Sequence, residues 1–349
     1  MMMISVDTGN RCIKVPDIAP FTAGLYCSGN VPPAAAADVI EYQSNFYTLS
    51  EERCTYQRDK TVNINYFILV LFAMAKRIIA KQPGRQSYKK EVILSLGLPP
   101  AHCKQELKDK YRKYFSNGGE PIRFVYNDIP FCITIAYPAD DSDRDALKDP
   151  CLCGVLVYVQ GLAAASLKGP EIQQYPESYV IDIGGYTTDI IRLSRKQTSK
   201  GYRLEVDPAF CVSLNSGVIH LYNNIKRAVS ESVDDGISET IIDAIMQGNY
   251  RCSDKRVNEI IAQSSEEYAK NMMADLIEKG VNLRFSHPVF VGGGTSVLQK
   301  YLLAACPQTD ITIIPQLTAN AEGYAKMTSA VLMQKGVLVR PQEDTEDSI

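Results

Sequence analysis

The sequence predicts an α/β protein of two similar halves, and three observations predict it. A short apolar strand at residues 4–6 runs into Asp7-Thr8-Gly9-Asn10 and returns as a strand at residues 12–15. The same device restarts at Tyr179, where a strand ends in Asp182-Ile183-Gly184-Gly185 and returns at residues 189–193. At 349 residues, finally, the chain is long for one compact core and suits two domains.

The elements follow in order. Gly9 and Asn10 are expected to supply the positive-φ positions of a hairpin turn. Residues 21–26 suit a third strand. Residues 30–60 are polar and aromatic, open with Pro32-Pro33, and read as a small irregular surface insertion. Helical apolar spacing spans residues 65–81. The apolar run 64–75 is too short to cross a bilayer, so a buried amphipathic helix is expected. Residues 91–98 form a buried strand stopped by Pro99-Pro100, and residues 101–116 a charged amphipathic helix ended by Asn117-Gly118-Gly119. Strands at 122–126 and 131–137 precede a charge run at 140–145, read as a solvated loop. A strand at 155–159 then enters Gln160-Gly161 and a small-residue helix at 162–167.

In the second half a strand is expected at 206–214, with helices at 216–229, 238–246 and 253–278, the last ending at Lys279-Gly280. A strand at 288–291 enters Gly292-Gly293-Gly294-Thr295, where a helix begins. A strand at 311–314 and a helix at 321–335 close the fold, and the acidic residues 343–349 are expected to be disordered.

Composition is that of an ordinary soluble globular protein, 45% hydrophobic and 22% charged. A net charge of −3 argues against broad direct contact with a nucleic-acid backbone, though not against contact through an adaptor. The 10 cysteines are scattered; Cys151 and Cys153 form a C-x-C with no second pair, so reduced thiols rather than a zinc site are expected. His102, His220 and His287 do not cluster, which recommends neither a metal site nor a Ser-His-Asp triad. Nothing reads as a targeting signal, the expected location is the cytoplasm, and no membrane contact is expected. The repeated Met1-Met2-Met3 leaves the native start codon open.

One Asp-x-Gly is a weak signal, more often a plain hairpin turn than a phosphate loop. An aspartate ending a buried strand is costly to keep charged unless a cation faces it. Asp7 and Asp182, at matching places in the two halves, therefore suggest a shared Mg2+ held partly through water. Gly9 and Asn10 in one loop, with Gly184, Gly185 and Tyr186 in the other, let backbone N–H groups close around phosphate oxygens. Thr187 and Thr188 add hydroxyl donors. Lys14, on the first return strand, either reaches back to a phosphate or is an exposed strand lysine. Gly292-Gly293-Gly294-Thr295 suits a tight turn or a close backbone approach to a nucleotide at a helix N-terminus; it is neither Gly-x-Gly-x-x-Gly nor a P-loop. Gln160 cannot act as a base at pH 7, but a glutamine can orient an attacking water.

In this order the motifs resemble those of the actin/Hsp70/sugar-kinase superfamily. Residues 6–14 look like its phosphate-1 motif, 159–163 like connect-1 and 180–189 like phosphate-2; residues 289–295 resemble the adenosine motif and 320–323 connect-2. The resemblance implies an actin-like fold in which two duplicated RNase H-like domains flank a nucleotide cleft, each with a smaller subdomain. Domain I would be residues 1–177 plus 321–349 with its subdomain at about 30–62, and domain II residues 178–320 with its subdomain at about 216–280.

Within the superfamily the chain most resembles the ParM/StbA plasmid-segregation actins. The resemblance rests on Phe115-Ser116-Asn117-Gly118-Gly119, on Val125-Tyr126-Asn127-Asp128, on Ser213-Leu214-Asn215-Ser216-Gly217-Val218, and on the helix leading into the Gly292 strand. That branch implies an ATPase with Gln160, Asp182 and Asp7 at its catalytic centre and Gly217 and Thr295 among its nucleotide-binding residues. It further implies ATP or ADP with Mg2+ (GTP as an alternative), assembly of the chain with itself into filaments, and a ParR-like adaptor on centromere-like DNA. Gln160 stands where the best-known plasmid members carry glutamate, which bears on the strength of hydrolysis rather than on nucleotide binding. Two other readings share the fold: a small-molecule kinase, which needs a carboxylate base and a sugar pocket, and a divisome- or chaperone-like scaffold.

Overall fold

The structure, a computed structural model, describes residues 1–34, 37–136, 154–199, 201–306 and 310–334. The expected loop at 140–145, the Cys151/Cys153 pair and the acidic tail at 343–349 lie outside the described residues. The first half runs β1 (Met2–Ser5), β2 (Asp7–Thr8), β3 (Cys12–Val15), β4 (Ile18–Thr22), β5 (Leu25–Gly29), β6 (Val39–Tyr42), β7 (Asn45–Leu49), α1 (Asn65–Lys81), β8 (Tyr88–Leu98), α2 (Gln105–Phe115), β9 (Ile122–Tyr126), β10 (Ile129–Ile135), β11 (Val155–Val159), α3 (Leu162–Ala165) and α4 (Gly169–Ile172). The second runs β12 (Glu177–Ile183), β13 (Thr188–Thr198), β14 (Gly201–Leu214), α5 (Val218–Val233), α6 (Glu239–Met246), α7 (Lys255–Glu278), β15 (His287–Val291), α8 (Gly293–Ala305), β16 (Thr312–Ile313) and α9 (Ala319–Gln334).

One five-strand order occurs twice. In the second half it is β14-β13-β12-β15-β16, with the first two pairings antiparallel and the last two parallel. In the first half β4-β3-β2 are antiparallel neighbours, the same strand continues backwards as β1, and β8 and β11 follow in parallel. The break between β1 and β2 falls at Val6, whose N–H donates to the Ser95 carbonyl at 2.8 Å. This duplicated order is the core of the actin-like fold.

Two expectations are corrected. Neither Gly9 nor Asn10 has a positive φ. Glycine is required at position 9 for closeness instead, since a Cβ there would lie 2.8 Å from the Cys12 carbonyl oxygen. Residues 30–60 are not an irregular insertion: β6 and β7 form a hairpin, and with β5 they extend the first sheet beyond β9. The turn of that hairpin is Gln43-Ser44, both at positive φ, without the glycine or asparagine that marks such turns in sequence.

Packing holds the halves together from below. Tyr66 to Ala75 of α1 are buried without a break, so this helix is enclosed between the two sheets of the first half rather than amphipathic along its opening turns. Among the described residues no helix is long and apolar enough to cross a membrane. Ala164, Ala165 and Ile172 of α3 and α4 join a core with Val180, Ile191 and Val289 of the second sheet. In the other direction α9 packs on β8 and β1, and the Thr328 hydroxyl meets Ser95 Oγ at 2.7 Å. Where α3 and α9 cross, a Cβ on Gly323 would lie 2.0 Å from the Ala163 carbonyl oxygen. Helix backbones approach that closely only at glycine.

Candidate functional site

The two Asp-x-Gly hairpins face each other across a cleft. Asp7 pairs with Lys14 across the first hairpin and Asp182 with Asp189 across the second, the same register in both. A Cβ on Gly184 would lie 2.9 Å from the Thr187 carbonyl, matching the constraint at Gly9. The second loop is pinned from behind by the start of α5: the N–H groups of Gly217, Val218 and Ile219 donate to the carbonyls of Tyr186, Gly184 and Gly185 at 3.0, 3.1 and 2.9 Å. The loops also touch, since a Cβ on Gly185 would lie 3.2 Å from Arg11 Cβ.

Around Asp7 the charges are balanced. Lys14 Nζ donates to Asp7 Oδ2 at 3.0 Å, and Gln160 Nε2 to Oδ1 at 3.1 Å. Burial works against the charge on Lys14, but the Asp7 carboxylate outweighs it and raises the lysine above its ordinary pKa. Among the described residues Asp182 has no such cation at contact distance. Burial pushes it up to about 7; a hydrogen bond from Asn320 opposes this, while the charges of Asp189 and Asp7 add to it. Asn320 Nδ2 donates to Asp182 Oδ2 at 2.9 Å, and its amide oxygen accepts from Gly161 N–H at 2.8 Å, tying the Gln160 turn to the second hairpin. Burial likewise raises Asp189; Thr187 Oγ1 donates to its Oδ2 at 3.3 Å, while its buried Oδ1 has no hydrogen-bond partner among the described residues.

Glycines make room for this arrangement. Gly161, at φ +73°, carries the chain from Gln160 past Asp182 Cβ. Gly292, at φ +92°, would place a Cβ 2.2 Å from Asp182 Oδ1, so a side chain there would displace the carboxylate.

Of the residues expected at a nucleotide site, Asp7, Gly9, Asn10, Lys14, Gln160, Asp182, Gly184, Gly185, Tyr186, Thr187, Gly292, Gly293 and Gly294 line the cleft. Thr188, Gly217 and Thr295 do not. The Thr188 hydroxyl donates to the Ser216 carbonyl at 2.9 Å and that of Thr295 to Val291 at 2.6 Å, both buried; Gly217 supports the second loop from behind. Lys14 is a largely buried partner of Asp7, not an exposed strand lysine.

Several lining residues escaped the sequence reading. Asp189 follows Asp182 by the same seven residues that separate Lys14 from Asp7, a signal that was available. Lys60, Arg11 and Asp243 had none, because their partners lie far along the chain. Arg11 Nη2 meets Asp243 Oδ2 at 2.8 Å, and Arg53 Nη1 meets Glu239 Oε2 at 2.8 Å, so two arginines of the first half reach the α6 helix of the second. Lys226 joins Glu239 at 3.0 Å, the Tyr222 hydroxyl donates to Asp243, and the rings of Tyr56 and Tyr186 meet at 4.9 Å across the same mouth.

The donor set can be tested against a divalent cation. Among the described residues no group of three or more His, Cys, Asp or Glu side chains is arranged to hold a bare ion. Asp7, Asp182 and the unpartnered Asp189 oxygen fit instead a hydrated cation whose remaining ligands are waters and phosphate oxygens, the coordination Mg2+ favours.

Comparison with known proteins agrees with this architecture. Residues 180–304 match a family described as the archaeal actin homologue MreB-like, C-terminal. No curated protein matches the chain by sequence. Among solved structures, an archaeal actin homologue in complex with ADP superposes with a TM-score of 0.70 at 14% identity, over 95% of this chain and 100% of that one. A ParM filament of 15 strands from Clostridium botulinum gives 0.68 at 17% identity over 95% and 100%, and apo pSK41 ParM 0.65 at 12% over 96% and 98%. The chain is therefore an actin-fold protein, similar along nearly its whole length to ParM and archaeal actin homologues, as the resemblance of its motifs implied.

Proposed function

We propose that the protein is an ATPase that binds Mg-ATP between its two hairpins, assembles with itself into filaments in that state, and loosens them after hydrolysis. The observation that carries the reading is the convergence of two matching Asp-x-Gly hairpins on one cleft, with Gln160 bonded to the first aspartate. Lys14 and the N–H groups of both loops would hold phosphate, and Asp7 and Asp182 would hold the cation through water. Bound there, Mg2+ would neutralise charge developing on the phosphate oxygens. Gln160 has its amide N–H engaged by Asp7, which presents the amide oxygen as an acceptor for the attacking water. Because the cleft lies between halves joined at their base by α3 and α9, a nucleotide touching both loops would favour the closed arrangement. The similarity to a ParM filament supports head-to-tail assembly, which is open and gives a filament rather than a ring. We place the protein in the cytoplasm, with a ParR-like adaptor linking the filament to centromere-like DNA.

The test is sedimentation and light scattering across a protein concentration series with Mg-ATP, Mg-GTP, Mg-ADP or no nucleotide, with phosphate release followed in parallel. Pelleting and scattering should rise with the triphosphate and fall as phosphate is released. Equal sedimentation with and without nucleotide would overturn the filament reading.

A further inference from the structure

Lys60 sits in the chain between β7 and α1, a stretch without any nucleotide-binding motif, yet the fold brings it to the floor of the cleft. Its side chain is only 4% exposed. The ammonium donates to the Thr8 carbonyl of the first hairpin, stands 3.5 Å from Thr8 Oγ1, and lies 5.0 Å from the centre of the Tyr66 ring. Among the described residues no carboxylate comes within ion-pair distance of it, whereas Lys14, beside it, has Asp7 at 3.0 Å.

A buried ammonium satisfied by a carbonyl and a hydroxyl, without a counter-charge, costs stability. The cost is visible in its acidity. Burial pushes Lys60 down to about 8, the like charge of Lys14 works in the same direction, and Asp7 opposes both. Arg58 and His102, on the same wall of the cleft, add positive charge or none. With Lys14 already paired to Asp7, Lys60 and Arg58 leave this part of the cleft short of an anion, and the cleft is where an anion would enter.

We propose that Lys60 is a phosphate-binding residue, which completes its charge balance by engaging the polyphosphate of the nucleotide beside Lys14. The inference rests on the nucleotide reading of the cleft. It adds a contact supplied by the strap in front of α1, outside both hairpins. Since the Thr8 carbonyl and hydroxyl already engage two of its N–H groups, the ammonium keeps a third for a phosphate oxygen.

The experiment compares wild type, Lys60→Met and Lys60→Arg in titrations with ATP, ADP and adenosine, alongside thermal unfolding with and without inorganic tripolyphosphate. Methionine keeps an unbranched side chain one atom shorter and removes the charge. Lys60→Met should weaken ATP and ADP by at least about tenfold and leave adenosine within about twofold, a charge-assisted contact being lost. Its unfolding temperature without ligand should not fall, tripolyphosphate should stabilise the wild type far more than Lys60→Met, and Lys60→Arg should recover most of the affinity. Unchanged ATP affinity in Lys60→Met, or an equal loss for ATP and adenosine, would overturn the assignment. If wild type bound neither ATP nor tripolyphosphate, the nucleotide reading itself would fall before any variant was compared.

Discussion

The two hairpins that face the cleft share a backbone and differ in charge. Both set an aspartate opposite the residue seven positions on, and both need glycine two positions after the aspartate, where a Cβ would press on a carbonyl oxygen. In the first, the opposite residue is Lys14 and the aspartate is neutralised at 3.0 Å. In the second it is Asp189, so two carboxylates share a buried strand pair with one amide, Asn320, in contact with Asp182. A duplicated unit has thus been divided into a charge-balanced loop and a carboxylate-rich loop, which in the function proposed above would serve phosphate and a hydrated cation. The difference teaches that charge at one cross-strand position, and not the Asp-x-Gly turn itself, sets the chemistry each loop offers.

Asp182→Asn removes the charge that sets the second hairpin apart and should have the largest effect. Between pH about 4 and about 7 the folded chain keeps a proton on Asp182 that the unfolded chain has released. Stability therefore falls as pH rises through that window and is level above it. The variant should lose this slope and, at pH 8 without ligand, be more stable by roughly 2–4 kcal/mol. It should also bind Mg-ATP about a thousandfold more weakly, a loss of roughly 4 kcal/mol. Denaturant titrations at pH 5 and pH 8 together with nucleotide titrations read both effects. An unchanged pH slope would remove Asp182 as the proton carrier, and normal affinity would remove it from the cation site.

Lys14→Ala should act with the opposite sign on stability. It leaves Asp7 buried without its cation and should cost about 3 kcal/mol in chemical unfolding. Adding Asp7→Asn should recover most of that stability without recovering ATP affinity. If the single variant were as stable as wild type, the neutralised character of the first hairpin would be wrong. The smallest of the three effects is expected at Gln160→Ala, which touches the first aspartate without carrying charge. Turnover should fall about a hundredfold, roughly 2.7 kcal/mol, while ATP affinity stays within about twofold and filaments persist longer. A turnover equal to wild type would take Gln160 out of the reaction.

Much of the fold was legible because its elements advertise themselves locally. The spacing over Asn65–Lys81, the Asn117-Gly118-Gly119 stop and the Lys279-Gly280 helix end all act within a few residues of where they are read. The Gln43-Ser44 hairpin was hidden because tertiary pairing with β9 holds a turn that its own residues do not favour. At the site, the glycines and the two strand-ending aspartates could be read from motifs. Lys60, Arg11 and Arg53 could not, since their partners lie 52, 232 and 186 residues away.

The two halves, the paired Asp-x-Gly loops and the glycine run before α8 are written in the residues themselves, because each is a local demand of backbone geometry or strand patterning. The charge state of the cleft arises from folding. Folding sets Lys14 against Asp7 and Asp189 against Asp182, brings Lys60 in from a strap without a motif, and turns the Thr188 and Thr295 hydroxyls away from the cleft. The reason is physical: the ionisation of a buried group depends on which charges and dipoles face it at a few ångströms, and sequence distance carries no information about that.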